Sequence, residues 1–88
     1  MLFVINYKTS PATRNAGQKR FLEGGGLPPA NVKMLGRWHY ADGSGGVTVA
    51  ESDDASAVAK WAQDWSDVLV LETRLALADE QMGAVIAG

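Results

Sequence analysis

The sequence predicts an α+β fold with the element order βαββαβ and a short C-terminal helix. Three observations support this prediction: apolar runs rich in β-branched residues, a glycine-rich turn in the middle of the chain, and helical spacing after the first and third strands. The 88 residues suffice for a single domain, residues 1–88. With its helices on one face of an antiparallel sheet, such a chain is a ferredoxin-like two-layer sandwich.

The first half of the chain predicts a strand, a helix and a second strand. Leu2–Lys8 is apolar at consecutive positions, which is typical of a strand covered on both faces. Ser10-Pro11 supplies an N-cap and a proline for the first helical turn, and the helix runs to about Glu23. Gly24–Gly26 ends it, because glycine adopts the left-handed cap conformation. Val32–Tyr40 is the second predicted strand.

The middle of the chain predicts a hairpin followed by an amphipathic helix. Asp42–Gly46 is a turn, and Val47–Glu51 is the third strand. Ser52 or Asp53 caps the next helix, where acidic residues suit the positive end of the helix dipole. Residues that share one face of this helix are Ala55, Val58, Ala59, Ala62 and Trp65, and we interpret Trp61 and Trp65 as packing residues.

The last part of the chain predicts a long apolar strand and a short helix. Val68–Ala78 places four leucines on one face, which must pack against the helices. Asp79-Glu80 opens a helix that spans Gln81 to about Ala87 and carries several apolar residues on one side.

The sheet face opposite the helices is predicted to be apolar, and this predicts a homodimer. Leu2, Val4, Val68 and Val70 share the parity of that face. An exposed apolar face of several hundred Å² is uncommon on a monomer. We therefore expect two copies to pair by a two-fold axis as a dimeric α+β barrel, with the last helix reaching onto the partner. The alternative is a monomer whose bare face is covered by its own last helix.

Composition excludes several classes of function. Eight basic and ten acidic residues give a net charge of −2, so the chain lacks the basic face that nucleic acid requires. There is no cysteine, which excludes disulfides and thiolate sites, and with a single histidine we expect neither a metal nor another cofactor. No apolar run is long enough to span a bilayer, so we expect no membrane partner and a cytoplasmic protein.

Polar residues predicted inside the barrel are the candidate ligand-binding residues. Arg37 and His39 share one parity of the second strand, and we expect them to point into the barrel, with Met34 and Trp38 towards the helices. A one-residue bulge would reverse this assignment. The complete candidate set is Asn6, Arg37, Trp38, His39, Glu72 and Arg74, of which Asn6, Glu72 and Arg74 lie on the bare face by parity.

Two interpretations of these residues stay open. In the first, Asn6 and His39 orient a small molecule in a cavity of at least about 300 Å³, and Glu72 sets the charge of His39 or Arg74. A histidine beside a carboxylate exchanges protons near neutral pH, as an enzyme would need. In the second, Glu72 and Arg74 form an ion pair with Arg37 in a structural or regulatory dimer that acts by binding another protein.

Four segments carry a resemblance to a known family: Asn6–Lys8, Lys33–His39, Asp42–Gly46 and Trp61–Asp67. They resemble a bacterial domain-of-unknown-function family, the one numbered 3303, over nearly the whole chain. The resemblance implies a ferredoxin-like fold and no particular activity. At the level of fold alone, dimeric barrels similar to this one include cofactor-free oxygenases, and the residue types of Asn6 and Trp38 are similar to a pair found in cofactor-free monooxygenases.

Overall fold

The structure, a computed structural model, describes residues 1–88. Four strands and three helices follow one another in the predicted order. They are β1 (Leu2–Lys8), α1 (Arg14–Gly24), β2 (Lys33–His39), β3 (Gly45–Glu51), α2 (Ala55–Gln63), β4 (Val70–Ala76) and α3 (Asp79–Ala87).

The strands form one antiparallel sheet in the order β2-β3-β1-β4. This order arises because α1 and α2 each carry the chain across a neighbouring strand, as in two interleaved βαβ units. Side chains alternate between the two faces of such a sheet. Phe3 and Ile5 lie on the face that packs against the helices, called the helix side below, and Val4 and Asn6 lie on the opposite, bare side. The predicted ferredoxin-like α+β fold is therefore confirmed.

A small core lies between the helix side and α2. Phe3, Ile5 and Ala50 of the sheet pack with Val58 of α2 and with Val32, which precedes β2. Only 12 of the 88 residues are buried, so the helix layer is not filled with side chains. A cavity remains between the sheet, α1 and α2.

The start of α1 differs from the prediction, whereas its end agrees. The helix begins three residues after the Ser10-Pro11 pair, because the intervening residues form a turn. The hydroxyl of Thr13 there donates to the carbonyl of Val68 at 2.9 Å, which ties the start of α1 to the chain that enters β4. At the other end, Gly25 has a φ of 72° and donates its N–H to the carbonyl of Phe21. This is the predicted glycine cap.

The N-cap of α2 is Asp54, not the predicted Ser52 or Asp53. The Asp54 carboxylate accepts hydrogen bonds from two backbone N–H groups of the first turn. Ser52 is buried, and its hydroxyl donates to the carbonyl of Asn31 at 2.8 Å. Because that hydroxyl bonds to the loop before β2, the helix starts later than predicted.

Three strands have bounds that differ from the prediction. β2 is one residue shorter at each end than the predicted Val32–Tyr40. β3 begins at Gly45, two residues before the predicted start, so part of the glycine-rich segment belongs to the sheet. β4 is shorter than predicted at both ends. Val68, which precedes β4, is only 6% exposed and does not lie on the bare side as predicted. It lies under α1, against Gly17.

The bare side of the sheet has no cover within the chain. Every residue of α3 is exposed, including Val85 and Ile86, so the alternative in which this helix covers the sheet of its own chain is wrong. The molecule is elongated as a result, with extents of 47 × 27 × 18 Å. None of the helices has the length and apolar character needed to cross a membrane.

Candidate functional site

The helix side of the sheet brings together side chains from strands that are far apart in sequence. Tyr7 of β1, Gly46 of β3 and His39 of β2 lie opposite one another in one row across the sheet. Ile5, Thr48 and Arg37 form the neighbouring row, and the buried Ile5 places both rows on the helix side.

The predicted orientation of Arg37 and His39 is therefore wrong. Both side chains lie on the helix side, and Trp38, predicted to face the helices, lies on the bare side opposite Val47. The reason is a β-bulge between Met34 and Gly36, which inserts one unpaired residue and shifts the alternation of everything after it. Met34 itself precedes the bulge and lies on the helix side, as predicted, opposite Ala50.

Gly46 allows Tyr7 and His39 to meet across an intervening strand. The Tyr7 hydroxyl and Nδ1 of His39 are 2.5 Å apart, although β3 separates the two strands. A Cβ on Gly46 would come within 2.5 Å of the Tyr7 ring, so only glycine leaves room for the phenol to cross. When the phenol donates, the neutral imidazole carries its own proton on Nε2.

Arg37 joins β2 to the end of α1. Its guanidinium donates to the carbonyls of Gly25 and Gly26, both at 2.7 Å. These carbonyls belong to the C-terminal turn of α1, where the helix dipole favours a positive charge. The guanidinium also lies 5.0 Å from the centre of the Phe21 ring. His39 also contacts Phe21, and the centres of the two rings are 5.2 Å apart. Tyr7, Phe21, Arg37 and His39 are called the helix-side cluster below.

A cavity of about 470 Å³ lies beside this cluster, between the helix side, α1 and α2. Its volume falls in the range of small-molecule sites. Tyr7 of β1 and Arg37 and His39 of β2 supply polar groups, and the remainder of the lining is largely apolar. The aromatic and aliphatic lining side chains are Ile5, Phe21, Leu22, Tyr40, Trp61, Trp65, Leu69 and Leu71.

Burial perturbs all three polar groups in the direction of their neutral forms. Burial lowers the pKa of the Arg37 guanidinium. Burial also lowers the pKa of His39, and the positive charge of Arg37 lowers it further. The pKa of the Tyr7 phenol is raised, chiefly by burial. At neutral pH the cavity therefore holds a neutral imidazole, a neutral phenol and one guanidinium cation.

The other four candidate residues lie on the bare side of the sheet. Asn6 pairs with Glu72 on β4, as the predicted contact between the first and fourth strands requires, and Glu72 forms an ion pair with Arg74. Trp38 lies in the same row as Asn6 but is separated from it by Val47. The candidate set is thus divided by the sheet, and neither the predicted contact of Glu72 with His39 nor the predicted ion pair with Arg37 is formed.

Sequence reasoning missed two residues of the helix-side cluster, Tyr7 and Phe21. Tyr7 has the parity of the buried residues Phe3 and Ile5, and this signal was available. Gly46, the last residue of the predicted turn, was also a signal, since a glycine at a strand position often marks a close approach of another group. Phe21 gave no signal beyond its place near the end of α1.

The chain belongs to the family described as "Domain of unknown function (DUF3303)", whose model matches residues 1–88. No curated protein matches the chain. The resemblance noted in the sequence is therefore confirmed over the whole length, and the family description assigns no activity.

Proposed function

We propose that this member of the DUF3303 family binds a compact, largely apolar small molecule in the cavity between the helix side of its sheet and its first two helices. The observation that supports the proposal is the cavity itself, about 470 Å³ in a chain that buries only 12 residues. A protein of this size needs its large side chains for a core. Here Phe21, Trp61 and Trp65 line a space instead of filling one.

Binding is favoured over catalysis by the composition of the lining. The Tyr7–His39 pair holds exchangeable protons, but no carboxylate lines the cavity to orient or charge the imidazole. The carboxylate considered for that role, Glu72, lies on the bare side and is paired with Arg74. The cofactor-free enzyme that the sequence left open therefore lacks its acid–base partner in this cavity.

The binding test uses the fluorescent probe N-phenyl-1-naphthylamine and native mass spectrometry of the gently purified protein. We expect the probe to bind the wild type, and Ala62→Leu, which places a larger side chain in the cavity lining, to weaken binding at least tenfold. Ala59→Leu is the matched control, because Ala59 is exposed on the same helix and does not line this cavity. Absence of probe binding to the wild type, or equal effects of the two variants, would overturn the proposal.

We also propose that the protein is a cytoplasmic homodimer paired through the bare side of the sheet. The accessible surface is 6003 Å², whereas a compact monomer of this mass exposes about 5,000 Å². The radius of gyration is 14.3 Å, against about 12 Å for a compact chain of this length. The excess surface of about 1,000 Å² is close to the roughly 800 Å² that each partner buries in a standard interface.

A second copy is the occupant that the chemistry of the bare side favours. The centre of this face is apolar, with Val4 opposite Val49 and exposed Trp38 nearby. Glu72 and Arg74 lie two residues apart at one edge with opposite charges. A two-fold axis that passes between the two side chains would present each of them to its opposite on the partner, which makes this edge of the surface self-complementary.

Analytical ultracentrifugation tests the dimer. We expect a wild-type mass of two chains, and a mass of one chain for Val49→Lys, which places a charge at the centre of the bare side. Leu27→Lys is the control, because Leu27 is 72% exposed in the loop after α1 and lies outside the sheet. A single-chain mass for the wild type, or a dimer that tolerates Val49→Lys, would contradict the pairing.

A further inference from the structure

We infer that the molecule bound in the helix-side cavity is a planar aromatic acid, with its anionic group at the end formed by Arg37, His39 and Tyr7. The inference rests on the proposed binding function, because it names the class of ligand that the cavity takes. It makes a separate claim, since the cavity could bind a neutral apolar molecule without this charge preference.

The first argument is the charge balance of the cavity. Arg37 is the only Lys, Arg, Asp or Glu among the 19 residues that line it. The guanidinium forms no ion pair with a carboxylate, and its hydrogen bonds go to the carbonyls of Gly25 and Gly26. Those carbonyls follow the last residue of α1 and carry only the partial negative charge of peptide dipoles. The positive charge of Arg37 therefore has no anionic counterpart beside an apolar space.

The second argument is the balance of hydrogen-bond donors and acceptors. The Arg37 guanidinium donates to two carbonyls, and its other N–H groups have no acceptor within the protein. When the Tyr7 hydroxyl donates to Nδ1 of His39, the remaining imidazole nitrogen carries a proton to donate. This end of the cavity is rich in donors, and a carboxylate or another oxyanion is the ligand group that supplies acceptors and charge together.

The perturbed ionisation of the cluster agrees with this balance. The pKa values of Arg37 and His39 are both lowered by burial, which means that neither group has a negative charge close enough to offset the loss of water. A bound anion next to both groups reverses this penalty. The site therefore gains electrostatic free energy from an anionic ligand that a neutral ligand of the same shape does not provide.

The third argument concerns the shape and chemistry of the rest of the ligand. The centre of the Phe21 ring lies 5.0 Å from the Arg37 guanidinium and 5.2 Å from the centre of the His39 ring, with edge geometry towards the imidazole. On the other side of the space, α2 contributes Trp61 and the turn that follows it contributes Trp65. Aromatic walls of this kind favour flat rings, which stack or meet them edge to face. A planar ring system with one acidic substituent satisfies both ends of the cavity.

The test compares two fluorescent probes that share one aromatic body, the anion 8-anilinonaphthalene-1-sulfonate and the neutral N-phenyl-1-naphthylamine. We expect the wild type to bind the anion at least tenfold more tightly than the neutral probe. Arg37→Met should remove this preference, whereas Arg37→Lys, which keeps the charge, should retain most of it. Binding of the neutral probe by Arg37→Met shows that the cavity has survived the substitution, and Ala62→Leu should weaken both probes.

The outcomes separate this inference from the proposed function. If the two probes bind with equal affinity and Ala62→Leu weakens both, the inference of an acidic ligand is overturned and the binding function stands. Failure of both probes to bind would overturn both. An anion preference that persists in Arg37→Met and in Ala62→Leu would show that the sulfonate binds elsewhere on the molecule, and would also overturn the inference.

Discussion

The two sides of the sheet carry similar kinds of side chains and differ in what those side chains meet. On the helix side, Tyr7, Arg37 and His39 surround a cavity and interact with α1 and with one another. On the bare side, Glu72 and Arg74 neutralise each other on a single exposed strand. A polar group binds a ligand more strongly when neighbouring elements exclude water around it and leave some of its hydrogen-bonding capacity unused. The helix side meets this condition and the bare side of the isolated chain does not.

The difference between the two sides also depends on one glycine and one bulge, which determine the polar side chains that lie on the helix side. The bulge after Met34 turns Arg37 and His39 towards the helices. Gly46 then lets the Tyr7 phenol cross β3 to reach His39. Neither feature changes the hydrophobic composition of the sheet, yet together they place the polar cluster in a cavity and Trp38 on the bare side.

The largest expected effect comes from adding a single methyl group to the helix side at Gly46. In Gly46→Ala the new Cβ collides with the carbonyl oxygen of Trp38 and the ring of Tyr7. Because the oxygen is backbone, the strands must separate, and we expect a loss of about 3 kcal/mol or more in the free energy of unfolding. Urea unfolding followed by circular dichroism measures it.

The control for that substitution is Gly24→Ala. Gly24 is the last residue of α1, and a Cβ there would have no atom within 4 Å. Alanine is the better helix former, so stability should be unchanged or slightly higher. Equal stability of Gly46→Ala and the wild type would mean that β3 does not pass between Tyr7 and His39 as described.

A smaller effect, the cost of Val49→Ala on the bare side, separates the two sides by its response to protein concentration, and Phe3→Ala on the helix side is the reference. Phe3 is 6% exposed in the core of the helix side, and Phe3→Ala should cost about 3–5 kcal/mol at every concentration. Val49 is half-buried on the bare side, and Val49→Ala should cost about 1 kcal/mol in dilute protein. If two copies pair through this side, the cost of Val49→Ala rises with protein concentration, because mass action couples pairing to stability.

Thermal unfolding of both variants over a hundredfold range of protein concentration measures this difference. A cost of Val49→Ala that stays constant over the range would argue against pairing through the bare side. A concentration-dependent cost for both variants would show only that Phe3→Ala also disturbs the interface.

The sequence predicted the fold because local patterns determine it. The apolar run of β1, the glycine after α1 and the turn before β3 each carry their signal within a few residues, and β1 was predicted with its observed bounds. The α2 cap was misplaced by one or two residues because Ser52, Asp53 and Asp54 are all suitable caps, and only the contact of Ser52 with Asn31 selects among them.

The site was predicted less well than the fold. It depends on which face of the sheet each side chain occupies, and pairing between strands far apart in sequence determines that face. His39 was predicted to line a cavity on the bare side, but alternation counted along β2 fails once the bulge at Leu35 intervenes, and its side chain lies on the helix side. The bulge has no distinctive local sequence, and the partner that reveals it, β3, is set by the three-dimensional pairing. The face of Tyr7 follows from the parity of Phe3 and Ile5, but its hydrogen bond to His39 joins residues 32 positions apart and has no local signal.

The smallest expected effect is a pH dependence that belongs to the helix side alone. The pKa of His39 lies below its ordinary value, so the imidazole is neutral at pH 8 and gains a proton as the pH falls. Tyr7, whose pKa is raised by burial, and Arg37, whose pKa is lowered from a much higher ordinary value, keep their charge states over this range. A sulfonate beside His39 raises its pKa, and by linkage the affinity for the anionic probe should rise about threefold to tenfold between pH 8 and pH 5.5.

Two controls assign this rise to one side chain. The neutral probe has no charge to meet the imidazolium, so its affinity should stay level over the same range, whereas acid expansion of the protein would raise the binding of both probes. His39→Gln keeps a polar side chain without the titration and should flatten the profile of the anionic probe. A rise that persists in His39→Gln would mean that protons bind elsewhere on the protein, and the difference between the two sides of the sheet would then not extend to their charge.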